Sequence, residues 1–243
     1  MPEKNELKHI GIIMDGNRRW AKSHGLAQQV VEGHRAGSKR FIDLCLWCID
    51  ENIPCVTVFA FSTENWNRSE EEVQGIFKLM EYFFETEIDN CIKKGIRLRI
   101  LGDRTRLSEK SQKIIADAET RTKDCDKLNA QIAINYGGRD EIFRAVKKLH
   151  AKIQNGAAVS LEKMSEKDFE SVFEECLDTA GLPQIDLVIR TGADGRKRTS
   201  GFLPWQTVYS ELYFLDTLWP DFSKDDLKNA VNWFYGVERN MGA

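Results

Sequence analysis

No apolar run in this 243-residue sequence approaches the ~18 residues that a membrane-spanning helix needs. The first residues, Met1-Pro2-Glu3-Lys4-Asn5-Glu6, hold no apolar core, so a secretory signal is not expected. Excess positive charge is missing as well. Lys and Arg number 35 against 38 Asp and Glu, a net −3, so nothing draws the whole chain toward nucleic acid. Any anion site must be a local concentration of Arg and His. No disulfide framework is visible in Cys45, Cys48, Cys55, Cys91, Cys125 and Cys176. Cys45 and Cys48 form a C-x-x-C in the middle of a helix-like stretch. Without a second Cys pair or a His pair at zinc spacing, they read as small buried hydrophobes. Neither GxxxxGK[ST] nor a GxGxxG after the first strand is present, so nucleotide binding by those devices is not expected. Repeats, low-complexity tracts and linkers are lacking too, and residues 1–243 read as one domain, with 1–7 expected to be flexible. These absences predict a cytosolic protein whose contact with a membrane, if any, is peripheral.

What is present is an ordinary globular composition, 42% hydrophobic and 30% charged, long enough to bury a full core. Strand-like runs at His9–Met14, Cys55–Ser62, Arg97–Leu101, Gln131–Tyr136, Ile185–Ile189 and Leu212–Leu215 alternate with helix-like stretches. The helices fall near 34–52, 69–94, 108–123, 139–153, 165–177 and 223–237. Ser69-Glu70-Glu71-Glu72 reads as a capping box opening the second of these, and Gly95 closes it. The alternation predicts an α/β fold, a mostly parallel six-stranded sheet flanked by helices, with ligands at the carboxyl ends of the strands.

Four polar clusters fall at those ends. Asp15-Gly16-Asn17-Arg18-Arg19-Trp20 follows the first strand. Gly16 permits close backbone approach, and the Arg forks suit phosphate oxygens. A carboxylate beside them would repel phosphate unless a divalent cation bridges the two, as Mg²⁺ does. D-G-N chemistry also suits a solvated turn, and both readings stand on this stretch alone. Ser62-Thr63-Glu64-Asn65-Trp66-Asn67-Arg68, after the second strand, carries more functional groups than a capping loop needs. Asn135 to Arg139 follows the fourth strand. Arg190 to Ser200 packs four positive charges into its first nine residues, with Gly interleaved, which favours anion binding over a solvated charge run. His34, after Gly33 at a helix start, could donate to a phosphate or be merely structural.

Five ordered blocks of this sequence resemble the cis-prenyltransferases, the undecaprenyl and dehydrodolichyl diphosphate synthases, over about residues 8 to 240. The blocks are His9–Trp20 with Gly33-His34, Phe59–Arg68, Asn135–Arg139, Asp186–Gly192 and Glu211–Phe214. The resemblance implies sequential Z-condensation of isopentenyl diphosphate onto an allylic diphosphate, usually farnesyl diphosphate, with release of diphosphate. It implies that Asp15 and Glu211 handle Mg²⁺, and that Gly16, Asn17, Arg18, Arg19, Trp20 and His34 cradle the allylic diphosphate. Ser62, Thr63, Glu64, Trp66 and Arg68 would shape the reacting region, with Asn65 assigned to proton removal. Arg190, Arg198, Thr199 and Ser200 would bind isopentenyl diphosphate. There is no DDxxD pair of the trans-prenyl synthases. An apolar tunnel lined by Ala60, Ile96, Leu128 and Ile134 is implied, and a medium-to-long product. Each isoprene buried there adds on the order of 3 kcal/mol at ~0.8 per CH₂.

Three departures stand out. Val30 occupies a position where many relatives have Arg, and the Arg190–Ser200 loop is two residues longer than usual, which leaves Arg198 and Arg196 as alternative anion ligands. Asn17-Arg18-Arg19 is the form of eukaryotic and archaeal members, so the endoplasmic reticulum surface is the expected site in a eukaryote. A homodimer through the later helices and the sixth strand is expected, with Glu238–Gly242 similar to a tail that reaches a neighbouring site. A non-catalytic partner subunit is the alternative, and a phosphate- or RNA-binding module a more distant one. Retention of Asp15, Asn17, Asn65 and Glu211 favours the enzyme.

Overall fold

A computed structural model describes residues 6–237. Six strands form one sheet: β1 (His9–Ile13), β2 (Cys55–Ser62), β3 (Ile96–Leu101), β4 (Leu128–Tyr136), β5 (Leu187–Arg190) and β6 (Glu211–Phe214). Their order is β3-β4-β2-β1-β5-β6 and every pairing is parallel. β1, β4 and β5 are almost wholly buried, which is why they read as continuous apolar runs rather than alternating ones. Seven helices connect and cover the strands: α1 (Asn17–Ser23), α2 (Val30–Asp50), α3 (Glu70–Lys94), α4 (Glu109–Thr122), α5 (Gly138–Gln154), α6 (Glu166–Glu174) and α7 (Lys224–Gly236). One core joins the sheet to α2, α3, α4 and α7 through Phe41, Leu44, Phe84, Ile115 and Leu227. A smaller one lies between α5 and α6 around Leu149 and Phe173.

The expected α/β architecture is present, and its boundaries differ in instructive ways. α1 was not expected, because Asp-Gly-Asn is turn chemistry. Gly16, at φ 119°, makes that turn and serves as the helix N-cap, after which Arg-Arg-Trp-Ala-Lys are adequate helix formers. So short a helix persists by packing: at Gly33 on α2, a Cβ would lie 2.1 Å from the Asn17 carbonyl oxygen. β4 starts at Leu128 rather than Gln131 because Leu128 and Asn129 find partners in Ile96 and Arg97. Leu7, within the stretch expected to be flexible, is 2% exposed and part of the core, so that expectation fails there; residues 1–5 lie outside the described residues. The Glu238–Gly242 segment lies outside them as well. Five of the six cysteines are buried, and burial pushes the Cys91 thiol up to about 12, in keeping with their reading as hydrophobes. No helix among the described residues is long and apolar enough to cross a membrane.

Candidate functional site

The sheet changes winding direction beside β1: the chain runs from β1 to β2 on one flank, while β5 on the other flank leads out to β6. Crevices beyond the strand ends at such a switch are where α/β sheets hold ligands. Asp15 follows β1 and Arg190 ends β5, and the two meet, Arg190 donating to the Asp15 carboxylate at 2.8 Å. Arg190 is 5% exposed and also donates to the Arg198 carbonyl (2.7 Å) and the Ser200 hydroxyl (2.9 Å). It is a strut that ties the basic loop to the end of β1. Its Nε finds no protein partner among the described residues.

Beside Asp15 opens a basin enclosing about 1190 Å³, part of it open to solvent. Met14, Asp15, Gly16, Asn17, Arg18, Arg19, Lys22, His34, Arg68, Arg196 and Arg198 form its wall. Asp15 is the one carboxylate among these lining residues, and Arg19 sits 3.2 Å from it while donating to the Gly192 carbonyl. At an effective dielectric of ~20, each cation within ~4 Å of an anion contributes roughly 4 kcal/mol before desolvation. The basin is therefore built for a polyanion. Both Arg196 and Arg198 line it, so the longer loop supplies two cations where one was expected. Lys22 was missed because it follows the Asn17–Arg19 block on what read as ordinary helix sequence.

The second cluster is placed differently from expectation. Thr63–Asn67 forms a 3-10 turn in which Asn65 accepts a hydrogen bond from the Ser62 N–H at 3.1 Å, closing a reciprocal cap. Of this cluster only Arg68 reaches the basin lining; Glu64 is exposed, and Thr63 packs beside Gly137. Trp66 turns inward, donating to Asn135 at 2.7 Å and stacking on Phe77. Trp20 likewise leaves the basin, donating to Asp221 at 2.7 Å and stacking on His24. Thr199 does not line the basin, and Ser200 acts on Arg190. The loop beyond Ser200 is clamped by a buried network. Tyr136 donates to Glu141, and Gln206 donates to both Glu141 oxygens and to Thr179. Burial pushes the Glu141 carboxyl above its usual range.

A second cavity, an apolar cleft of about 730 Å³ with an open mouth, continues from the basin. Met14, Asn17 and His34 line both, so an anionic head in one and a hydrocarbon tail in the other would belong to a single ligand. Ala60 and Ile134 line the cleft as expected, opposite Phe77, Met80, Phe83 and Phe84 of α3. Ile96 and Leu128 do not. They pair across β3 and β4 in the fully buried core, at the amino ends of those strands. Five phenylalanines, Phe41, Phe61, Phe77, Phe83 and Phe84, are among the residues that line the cleft.

For a divalent cation, the residues present offer one carboxylate. Glu211 begins β6 and pairs with Leu187 at the start of β5, whereas Asp15 meets Arg190 at the end of β5. The expected Asp15–Glu211 pair is therefore not brought together within the chain, and no cluster of three metal-ligating side chains occurs among the described residues. One half-buried carboxylate fits Mg²⁺ only when ligand phosphates supply most of the coordination, which is a common arrangement for this ion.

The chain matches the prenyltransferase family described as "Putative undecaprenyl diphosphate synthase" over residues 13–242. It is 42% identical to the chloroplastic (2Z,6Z)-farnesyl diphosphate synthase of Solanum lycopersicum, covering 97% of this chain and 79% of that one. It is 39% identical to the ditrans,polycis-undecaprenyl-diphosphate synthase, (2E,6E)-farnesyl-diphosphate specific, of Buchnera aphidicola subsp. Schizaphis graminum (strain Sg), covering 99% and 93%. The structure superposes on lavandulyl diphosphate synthase from Lavandula x intermedia, solved with dimethylallyl diphosphate, at a TM-score of 0.88, with 31% identity and 97% and 98% of the two chains covered. Similarity of this extent, on a fold whose charged basin opens into an apolar cleft, is that of a shared family. The chain belongs to the undecaprenyl diphosphate synthase family and is a cis-prenyltransferase.

Proposed function

We propose that the protein elongates an allylic diphosphate, farnesyl diphosphate being the reference primer, by successive Z-condensations with isopentenyl diphosphate. In each cycle the allylic carbon–oxygen bond breaks and diphosphate leaves. A carbon–carbon bond then forms to isopentenyl diphosphate, which gives up a proton. The continuity of basin and cleft at Met14, Asn17 and His34 carries this reading. Arg18, Arg19, Lys22 and His34 hold the allylic diphosphate with its chain directed past Met14 into the cleft. Arg190 aligns Arg198 and Ser200, which with Arg196 and Arg68 hold isopentenyl diphosphate alongside. Holding two reactants in register is a large part of the rate gain. Asp15 would hold Mg²⁺, which when bound would supply neutralisation of charge on the leaving diphosphate. Glu211 joins it only if a second chain presents that strand end. Asn65 reaches isopentenyl diphosphate only by releasing its cap on Ser62.

The product grows until its tail meets Phe83 and Phe84, and a medium-to-long polyprenyl chain requires those rings to swing aside. We also propose a homodimer through the β6 edge, where Leu212, Trp233 and Tyr235 are exposed and Tyr213 packs on Trp233. Peripheral contact with a membrane would release so apolar a product, and vesicle flotation tests it. Incubation of the purified chain with labelled isopentenyl diphosphate, farnesyl diphosphate and Mg²⁺ should yield a ladder of polyprenyl diphosphates. No product from the folded protein would leave it a non-catalytic partner subunit instead.

A further inference from the structure

Ser69-Glu70-Glu71-Glu72 reads as a capping box, in which Glu72 would return to the Ser69 N–H. Only half of that box forms. Ser69 Oγ accepts from the Glu72 N–H at 3.4 Å, and the carboxylate goes elsewhere. At Ser165 and Ser223 the corresponding acidic residues, Asp168 and Asp226, close both halves. Glu72 instead accepts from Arg68 at 2.9 Å, meets His34 Nε2 at 3.4 Å and faces Arg18 Nε at 3.6 Å. It is 4% exposed and lies behind the basin wall, while the three residues it touches are all in that wall. A buried carboxylate is costly unless its partners are well placed, and three elements converge to supply them. The His34 hydrogen bond and the two guanidiniums together hold it below the usual carboxylate range despite burial.

We propose that Glu72 is a positioning residue, the buried counter-ion that sets His34 and Arg18 toward the allylic diphosphate and Arg68 toward the isopentenyl diphosphate beside it. This rests on the reading of the basin as the allylic diphosphate site. The groups facing His34 are otherwise cationic. Arg18, Arg19 and Lys22 come from α1, Arg68 from the end of the 3-10 turn before α3, and Arg196 and Arg198 from the basic loop. Asp15 is held by Arg19 and Arg190, and Glu32 on His34's own helix pairs with Arg35 at 3.2 Å. Glu72 is the carboxylate in contact with His34 that can offset them. Without it, His34, Arg68 and Arg18 lose their common anchor, so diphosphate binding weakens.

The test titrates the full chain and Glu72→Gln with inorganic diphosphate by calorimetry at neutral pH. Glu72→Gln should bind roughly tenfold more weakly at neutral pH, a loss typical of supporting groups behind a ligand shell. With farnesyl diphosphate as primer, KM should rise more than kcat falls. In a His34→Gln background the same substitution should cost less affinity, because one of the groups it positions is gone. Removing a negative charge could instead simply strengthen anion binding, so tighter binding by Glu72→Gln overturns the proposal. So does an undiminished loss in the His34→Gln background. If Glu72→Gln fails to fold, Glu72→Asp carries the test, keeping the charge at a longer reach and giving a smaller loss of affinity. Absence of diphosphate binding by the wild-type chain would defeat the basin reading itself, and this proposal with it. Wild-type binding with an unaffected Glu72→Gln defeats this proposal alone.

Discussion

The basin and the cleft share three residues yet are assembled by opposite rules. The basin takes most of its groups from two short stretches, residues 14–22 and 196–198, whose long side chains converge above a strand end. The cleft takes its lining from α2, α3, β2 and β4, together with Trp219, and no two neighbouring blocks of sequence define it. A charged site can be local because flexible cations reach a common point from one turn. An apolar cavity is what remains where bulky faces fail to close, so it belongs to the packing as a whole. Substitution in the basin should therefore abolish chemistry, while substitution in the cleft should change what fits.

Asp15→Ala should have the largest effect. If Asp15 carries the metal as proposed, its loss removes several kcal/mol of transition-state stabilisation, roughly 10³-fold in kcat. Circular dichroism should be unchanged and diphosphate binding largely kept; retained turnover removes Asp15 from the metal role. A second contrast pairs His34 with His9, at the other end of β1. His9 is fully buried between the Pro183 carbonyl and Thr57, and burial lowers its pKa to about 4. The unfolded chain, at 6.5, then binds the proton more tightly. Stability is complete above about pH 6.5 and is lost as pH falls toward 4, by on the order of 3 kcal/mol in all. Urea midpoints at neutral and acid pH should diverge less in His9→Gln, and an unchanged slope would show that His9 does not carry this loss.

Where α1 crosses α2, Gly33→Ala would drive a methyl group into the Asn17 carbonyl and cost about 1–3 kcal/mol. Asn17 moves with the helix, so melting temperature and farnesyl diphosphate KM should both worsen. If stability falls while KM holds, the basin is less dependent on this crossing than the geometry implies. The smallest effects belong to the cleft. Ala60→Leu should shorten the product ladder and Phe84→Ala lengthen it by an isoprene unit or more, at similar kcat. Identical ladders from both would take the cleft out of length control.

Much of the site was legible in the chain because strands, turns and Arg forks are local. Asp15–Arg19, His34, Arg68 and Arg198 all reach the basin. Trp20 and Trp66 were read as ligand-shaping because they sit among such residues, but an indole is large and apolar, and each ring found a packed surface instead. Ile96 and Leu128 are apolar and correctly interior, yet interior apolar positions divide between core and cavity only when the helices are in place. Glu72 was legible as a cap and not as a counter-ion, since its partners come from residues 18, 34 and 68.

By itself the sequence determined a parallel α/β sheet, the strand ends that carry polar clusters, and an anion site of Arg and His beside Asp15. Those follow from apolar period, turn chemistry and charge, which act over a few residues. Only the tertiary structure decided that Glu211 and Asp15 stand at opposite ends of their strands, that Arg190 braces the loop, and that Phe83 and Phe84 line the cleft. Each depends on strand order and helix packing, where residues far apart in the chain compete for the same space.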